Sequence, residues 1–350
     1  VIHAQAGLQL EVQALDNVDG LDAAVDAEAH RPFDLKHDAL LRVKLLRLGA
    51  DEHVLILTQH HIVSDAWSMQ VMVDELVETY AAYSQGQAPS LPALPLQYLD
   101  YAQWQRQWME DGEQARQLAY WTDKLGGEQP VLALPTDYPR PSVQSFAGAS
   151  QVVTLPTSLL HSLKALAQRE QVTLFMLLLA SFQTLLHRYS GQNDIRVGVP
   201  IANRNRVEIE RLIGFFVNTQ VLKAEVDGQG AFIELLRQVK HTALQAQAHQ
   251  DLPFEQLVQA LQPERSLSHS PLFQVMYNHQ SEGKRSIDVD LPGLRVEGLA
   301  WENQTAQFDL SGNLRIARQP ECLGGVCQRT VRRQHHRAAQ TSAGDRCVLV

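Results

Sequence analysis

The chain has 350 residues, 45 % hydrophobic and 20 % charged, with a formal net charge of −9, which suits about two globular domains with buried cores. The acidic balance argues against a non-specific grip on nucleic acid, which needs a basic footprint. A mean hydropathy of −0.21 and a longest apolar stretch of only Leu174 to Ala180 argue against a membrane protein, since ~20 apolar residues are needed to cross a bilayer; no signal peptide is visible at the N-terminus.

In chain order, Val54–Leu57 reads as a short buried strand. A polar loop, Thr58–Trp67, follows, and Ser68 is the expected N-cap of a helix carrying Met69, Met72, Val73, Leu76, Tyr80 and Tyr83, stopped by Gly86. Pro89 to Pro95 is a connector. Tyr98–Leu125 reads as a helix whose aromatic stripe (Tyr98, Tyr101, Trp104, Trp108, Tyr120, Trp121) is expected to pack in a core. A Gly126-Gly127 pair and four prolines make 126–149 the expected inter-lobe linker. Strands are then expected at Gln151–Leu155, Ile195–Val199, Val217–Val226, Phe273–Asn278 and Ile287–Val289. Helices are expected at Thr157–Glu170, from a Thr173 cap to Tyr189, and at Phe232–Ala248. Such alternation predicts α/β layers in two lobes, 1–125 and 150–310.

Residues 311–350 differ from the rest. They hold seven Arg against two acids and all three cysteines. A cysteine-free remainder fits a reducing cytoplasm. Cys322, Cys327, His335, His336 and Cys347 match no standard zinc spacing, so no metal site is expected. The abrupt change near Ser311–Gly312 reads as an aberrant tail, as if the reading frame had shifted.

The sequence has no Gly-x-Ser-x-Gly elbow, phosphate-binding loop or dinucleotide glycine fingerprint. What it offers is His60-His61-x-x-x-Asp65. Neighbouring side chains on a strand point to opposite faces, so one histidine can brace the loop while the other presents a ring nitrogen. Asp65 is close enough to hold the loop's shape or a tautomer.

Five segments in order resemble the condensation-domain family of non-ribosomal peptide synthetases. They are Thr58–Ser68 (TQHHIVSDAWS), Tyr98–Trp104 (YLDYAQW), Ile213–Gln220 (IGFFVNTQ), His249–Glu255 (HQDLPFE) and Arg265–Leu272 (RSLSHSPL). The resemblance runs from near residue 1 to about Leu310. The family's two opening motifs are missing, so the chain is expected to begin inside the first lobe. Ala66 stands where the family usually has Gly; a need for positive φ or a close backbone approach there would make Ala costly by about 1 kcal/mol.

The resemblance implies a two-lobed fold like that of chloramphenicol acetyltransferase, with the first lobe incomplete and a tunnel between the lobes. It implies amide formation between a carrier-bound thioester donor and a carrier-bound aminoacyl acceptor. No cofactor is expected on this domain, because phosphopantetheine arms of upstream and downstream peptidyl carrier domains bring the substrates. An adenylation domain is the expected neighbour, and neither nucleic acid nor membrane is an expected partner. His61 is implied as the catalytic residue, acting as general base, amine orienter or charge stabiliser. His60, Asp65, Ala66 and Arg265 are implied as its support, with Asp65 pairing with Arg265. Trp67, Phe215 and Asn218 are expected at the tunnel or lobe junction. Asp251 and Glu255 resemble an acid/base pair, but Pro253 and Phe254 between them favour a loop lining the tunnel floor. Alternatives are an epimerisation domain, a non-catalytic carrier-binding scaffold and an inactive truncated remnant. A heterocyclisation domain, which carries an Asp-rich motif in place of His-His, is disfavoured.

Overall fold

The computed structural model describes residues 7–15, 18–264, 266–280, 289–291, 293–299, 305–316, 323–329 and 346–349. Strands β1 (Leu10–Ala14), β2 (Leu41–Arg47) and β3 (His53–His60) begin a first sheet, with helix α1 (Leu21–His30) on one face. β1 and β2 run parallel, while β2 and β3 are antiparallel with Val43 opposite Leu57 and Leu46 opposite Val54. Leu46 and Ile56 are buried from this sheet against Leu21 and Val25 of α1, the period-two and helical patterns meeting in one small core. β3 runs three residues past the expected strand end at Leu57. β2 pairs with it as far as Gln59, opposite Leu41, and supplies the ladder partners that periodicity alone does not reveal.

Helix α2 (Ala66–Ser84) leaves the end of β3, and Gly86 at φ 69° ends the exit turn as expected. The expected long helix 98–125 is two helices, α3 (Tyr98–Trp108) and α4 (Gln114–Leu125). They are joined by a single π turn, Met109–Glu113, in which Gly112 has φ 113°, a conformation only glycine adopts easily. The two halves pack differently. Tyr98, Tyr101 and Trp104 of α3 meet Ile209, Leu212 and Phe216, whereas Trp121 and Leu125 of α4 enter the largest core. Five of the six aromatic residues are therefore core, as expected, but of two cores, and Trp108 stacks on Trp104. Leu132 of the expected linker lies in the same large core, and its N–H donates to Gln274 Oε1 at 2.7 Å.

The second sheet contains β4 (Ala149–Leu155), β5 (Asp194–Ile201), β6 (Asn218–Glu225), β7 (Val275–Gln280), β10 (Leu310–Ile316) and β11 (Leu323–Arg329), ordered β4-β11-β10-β7-β5-β6. Helices α5 (Thr157–Arg169), α6 (Leu174–Ser190), α7 (Phe232–Gln247) and α8 (Phe254–Leu261) accompany it. Thr173 caps α6 as expected, its Oγ1 accepting from the Met176 N–H at 3.2 Å. A two-stranded ribbon, β8 (Val289–Leu291) with β9 (Leu294–Val296), stands apart.

The unusual tail takes part in both sheets. β11 lies between β4 and β10, and β12 (Arg346–Leu349) runs antiparallel to β3, with Arg346 opposite His60. A backbone ladder asks for no side-chain pattern, which is why poor hydrophobic periodicity hid these strands. Cys322, His335 and His336 lie outside the described residues.

Candidate active site

β3 delivers the two histidines to the line where the sheets' loops meet. The strand ends at His60, and the chain turns at once into a single 3-10 turn, His61–Val63. His60 Nδ1 accepts the Ile62 N–H at 3.1 Å and so caps that turn. An accepting Nδ1 leaves the proton of neutral His60 on Nε2. His61 sits half-buried with its ring edge-on to Phe215, centroids 5.3 Å apart at 82°. Phe215 comes from the loop between β5 and β6, so the imidazole stands against the other lobe. Its Nδ1 is buried without a hydrogen-bond partner among the described residues.

Asp65 is the true N-cap of α2. Its Oδ1 accepts the Ser68 N–H at 2.7 Å, and its Oδ2 accepts the Phe216 N–H at 3.0 Å. Ser68, expected as the cap, is the third residue of the helix. A carboxylate three residues earlier already takes its N–H, and its hydroxyl is free for the other lobe. That hydroxyl donates to Gly214 O at 2.8 Å and accepts from Arg204 Nη2 at 2.6 Å.

Among the described residues, the ion-pair partner of Asp65 is Arg204, with Nη2 3.3 Å from Oδ1 and side chains only 1 % and 4 % exposed for Arg204 and Asp65. Arg265, the expected partner, lies outside the described residues. Arg204 also donates through Nη1 to Ile209 O at 2.6 Å and Leu212 O at 2.7 Å. Its guanidinium lies 4.0 Å from the centroid of the Phe216 ring. Burial pulls the guanidinium below its ordinary value, and Asp65 opposes the shift. Arg204 escaped the sequence reading because Asn203-Arg204-Asn205-Arg206 offers two arginines without a local sign of which one turns inward.

Further contacts close the seam. Trp67 Nε1 donates to Glu210 O at 2.8 Å, and Tyr98 Oη donates to Phe215 O at 2.6 Å. Gly214 is required by this approach, since a Cβ there would stand 2.1 Å from the Tyr98 ring. Ala66 is exposed in the first turn of α2 with right-handed helical backbone, so the positive-φ penalty considered for it does not arise.

A second constellation holds the turn between α7 and α8. Asn218 Nδ2 donates to Gln250 O at 2.9 Å and Leu252 O at 2.8 Å, while its Oδ1 accepts from Phe254 N at 3.1 Å. Gln117, fully buried in α4, accepts through Oε1 from Asp251 N at 3.0 Å and Leu252 N at 2.8 Å. Its Nε2 donates to Asp251 Oδ2 at 3.1 Å and Glu113 Oε1 at 2.7 Å. Burial raises the Asp251 carboxyl above its ordinary range, with the Gln117 amide opposing. Glu255 is exposed on the first turn of α8. The structure thus joins His61, Asp65, Trp67 and Phe215 at one seam, and Asn218 with Asp251 at another point. Gln117 was missed because a lone Gln on an amphipathic helix resembles a solvated residue. Among the described residues, no group of three or more His, Cys, Asp or Glu is placed to hold a metal, and no single helix is long and apolar enough to cross a membrane.

The family model of the condensation domain matches residues 1–322. The chain belongs to the condensation-domain family. This condensation domain is 53 % identical over 289 residues to a linear gramicidin synthase polypeptide of Brevibacillus parabrevis, covering 81 % of the chain and 4 % of that protein. It is 44 % identical over 290 residues to malpinin synthetase of Mortierella alpina, covering 83 % of the chain and 4 % of the relative. The chain therefore spans about a twenty-fifth of the length of these relatives. Among solved structures, the X-domain from teicoplanin biosynthesis superposes with a TM-score of 0.84 at 27 % identity, covering 94 % of this chain and 75 % of the other. A four-domain nonribosomal peptide synthetase bound to AMP and glycine shares the fold at TM-score 0.80 and 24 % identity, over 92 % of this chain and 25 % of that one. The mixed α/β architecture and the match to condensation-domain structures agree with the fold expected from the motifs.

Proposed function

We propose that this condensation domain joins a carrier-bound acyl donor to a carrier-bound aminoacyl acceptor through an amide bond. The acceptor nitrogen attacks the thioester carbonyl carbon, the C–S bond breaks, and the upstream pantetheine sulfur leaves as a thiol with the proton that nitrogen loses. The observation that carries the proposal is the placement of His61 at the seam, half-buried against Phe215 of the opposite lobe. There a substrate arm from either side would meet one imidazole.

The unpartnered, buried Nδ1 of His61 favours one of the three roles. An orphaned buried N–H is the rarer fault in proteins, so the proton of neutral His61 belongs on Nε2. In that tautomer His61 donates a hydrogen bond to the oxyanion of the tetrahedral intermediate and stabilises charge, rather than taking the amine's proton. The Asp65–Arg204 lock holds the turn that carries His61 in place.

Peptidyl carrier domains on both sides, and an adenylation domain nearby in the synthetase, are the proposed partners, within a reducing cytoplasm. No cofactor beyond the carriers' phosphopantetheine arms is required by this chemistry.

The test supplies loaded donor and acceptor carriers and follows amide formation by mass spectrometry. His61→Ala is expected to slow condensation about 10²- to 10³-fold, the loss typical of one oxyanion donor, with carrier binding unchanged. His61→Gln, which keeps an N–H donor, is expected to retain more rate than His61→Ala. Equal rates in wild type and His61→Ala would refute the assignment. Inversion of a carrier-bound residue without amide formation would identify an epimerisation domain. Carrier binding with no turnover in wild type would support a scaffold, a reading favoured by one observation: the teicoplanin X-domain has been solved in complex with the protein OxyB.

A further inference from the structure

His60 is held from behind by residues outside the five family-like segments. Its ring stands edge-on to Phe33, centroids 5.7 Å apart at 88°. Phe33 lies in the loop between α1 and β2, and the Arg42 guanidinium carbon sits 3.8 Å from the centroid of its ring. Arg42 is itself fixed. Its Nε donates to Glu28 Oε1 at 2.7 Å, and Nη2 donates to Arg31 O at 2.9 Å and Nη1 to Pro32 O at 3.2 Å. The Glu28 side chain is 3 % exposed and that of Arg42 13 %. The same guanidinium thus orders both the Phe33 ring and the backbone that carries it.

We infer that Phe33 and Arg42 are positioning residues for the condensation site, fixing the His60 ring so that its Nδ1 caps the turn that presents His61. The chemistry of each contact supports this. The Arg42 cation over the Phe33 ring holds that ring in place, and the fixed ring packs at right angles to His60. A guanidinium suits the position, because its several N–H groups bond the Glu28 carboxylate and the Glu28, Arg31 and Pro32 carbonyls at once while its carbon sits over the Phe33 ring. His60 can cap only with Nδ1 unprotonated, and the cap at 3.1 Å is what begins the 3-10 turn at His61. A ring free to rotate would lose the cap, and the His61 imidazole would shift relative to Phe215. Misplacement of a reacting group by about 1 Å costs on the order of a hundredfold in rate.

The inference rests on His61 being the group that meets substrate, so its test reads His60 directly as well as activity. Long-range 15N–1H NMR of the histidine-labelled full chain reports which nitrogen of His60 carries the proton. Wild type is expected to show Nε2–H alone. Phe33→Leu, which keeps apolar bulk but loses the aromatic ring, is expected to give mixed His60 tautomers and a kcat lowered about ten- to a hundredfold. KM for both loaded carriers should stay within about twofold, since uniform binding is untouched. Phe33→Tyr, which keeps the ring, should restore both readouts. Arg42→Lys keeps the positive charge beside Glu28 but not the flat face, and should reproduce the Phe33→Leu result; it decides the matter if Phe33→Leu gives no cooperative thermal melt. A single His60 tautomer with wild-type kcat in folded Phe33→Leu or Arg42→Lys would overturn the inference. Mixed tautomers with unchanged kcat would also overturn it. Mixed tautomers in a protein whose wild type forms no amide would instead locate the failure in the reading of His61.

Discussion

Two loops reach the start of β6, and they are held by opposite chemistry. The motif loop after β3 is locked by charge: Asp65, Arg204 and the Ser68 hydroxyl converge on one buried point. The turn before α8 is held by neutral amides, Gln117 from one side and Asn218 from the other, with every hydrogen bond they make directed to that turn, to Glu113 or to Thr219 beside it. A buried ion pair adds little net stability over a well-packed apolar replacement, but leaving one charge alone is severe. A neutral clamp has no such asymmetry of charge and loses only unsatisfied donors. The charged lock therefore makes the His61 loop all-or-none, whereas the amide clamp tolerates partial damage.

The largest expected effect tests the lock. Arg204→Met should leave the Asp65 carboxylate buried without its countercharge and lower stability by about 3–5 kcal/mol in chemical denaturation. Adding Asp65→Asn to Arg204→Met should recover part of that loss; a double variant no more stable than the single would break the contrast drawn above. Next in size is Gln117→Leu. It strands the Asp251 and Leu252 N–H groups and should cost about 2–3 kcal/mol, with cooperative unfolding kept. A larger loss than for Arg204→Met would reverse the ranking.

The smallest effect belongs to Asp251. Burial holds its carboxyl above the ordinary 3.8 in the folded protein, so the folded state binds that proton more tightly than the unfolded state. Its contribution is greatest below the ordinary carboxylate range and is lost as pH rises through the raised value. Asp251→Asn, which still offers an oxygen to Gln117, should flatten stability over that window and raise Tm slightly near neutral pH. The gain should stay under ~1 kcal/mol because the group is partly hydrated. Thermal melts from acid to neutral pH would show it, and a steeper pH dependence in the variant would contradict the sign.

Much of the frame was legible residue by residue. The Thr173 cap, the Gly86 stop, the approximate extents of β5 and β6 and the aromatic stripe all follow from periods and caps that act within a few positions. Where the reading erred, a distant partner was responsible. Ser68 resembled a cap until Asp65 was seen to satisfy its N–H and Arg204 to claim its hydroxyl. The helix after Pro95 looked continuous because aromatic residues recur on both sides of Gly112, yet its halves belong to different cores. The tail strands were invisible because they are specified by ladders to β3, β4 and β10.

By itself, the order of residues determined the α/β alternation, the succession of five family-like segments and the presence of a histidine pair with a carboxylate four positions beyond. Those features depend on neighbours along the chain, where spacing and conformation are coupled. Only the tertiary structure decided which histidine faces the opposite lobe, that Arg204 answers Asp65 across 139 positions, and that Gln117 and Asn218 grip one turn. Such choices depend on which surfaces meet once both sheets have closed, and a buried charge or amide is then fixed by the one partner within reach.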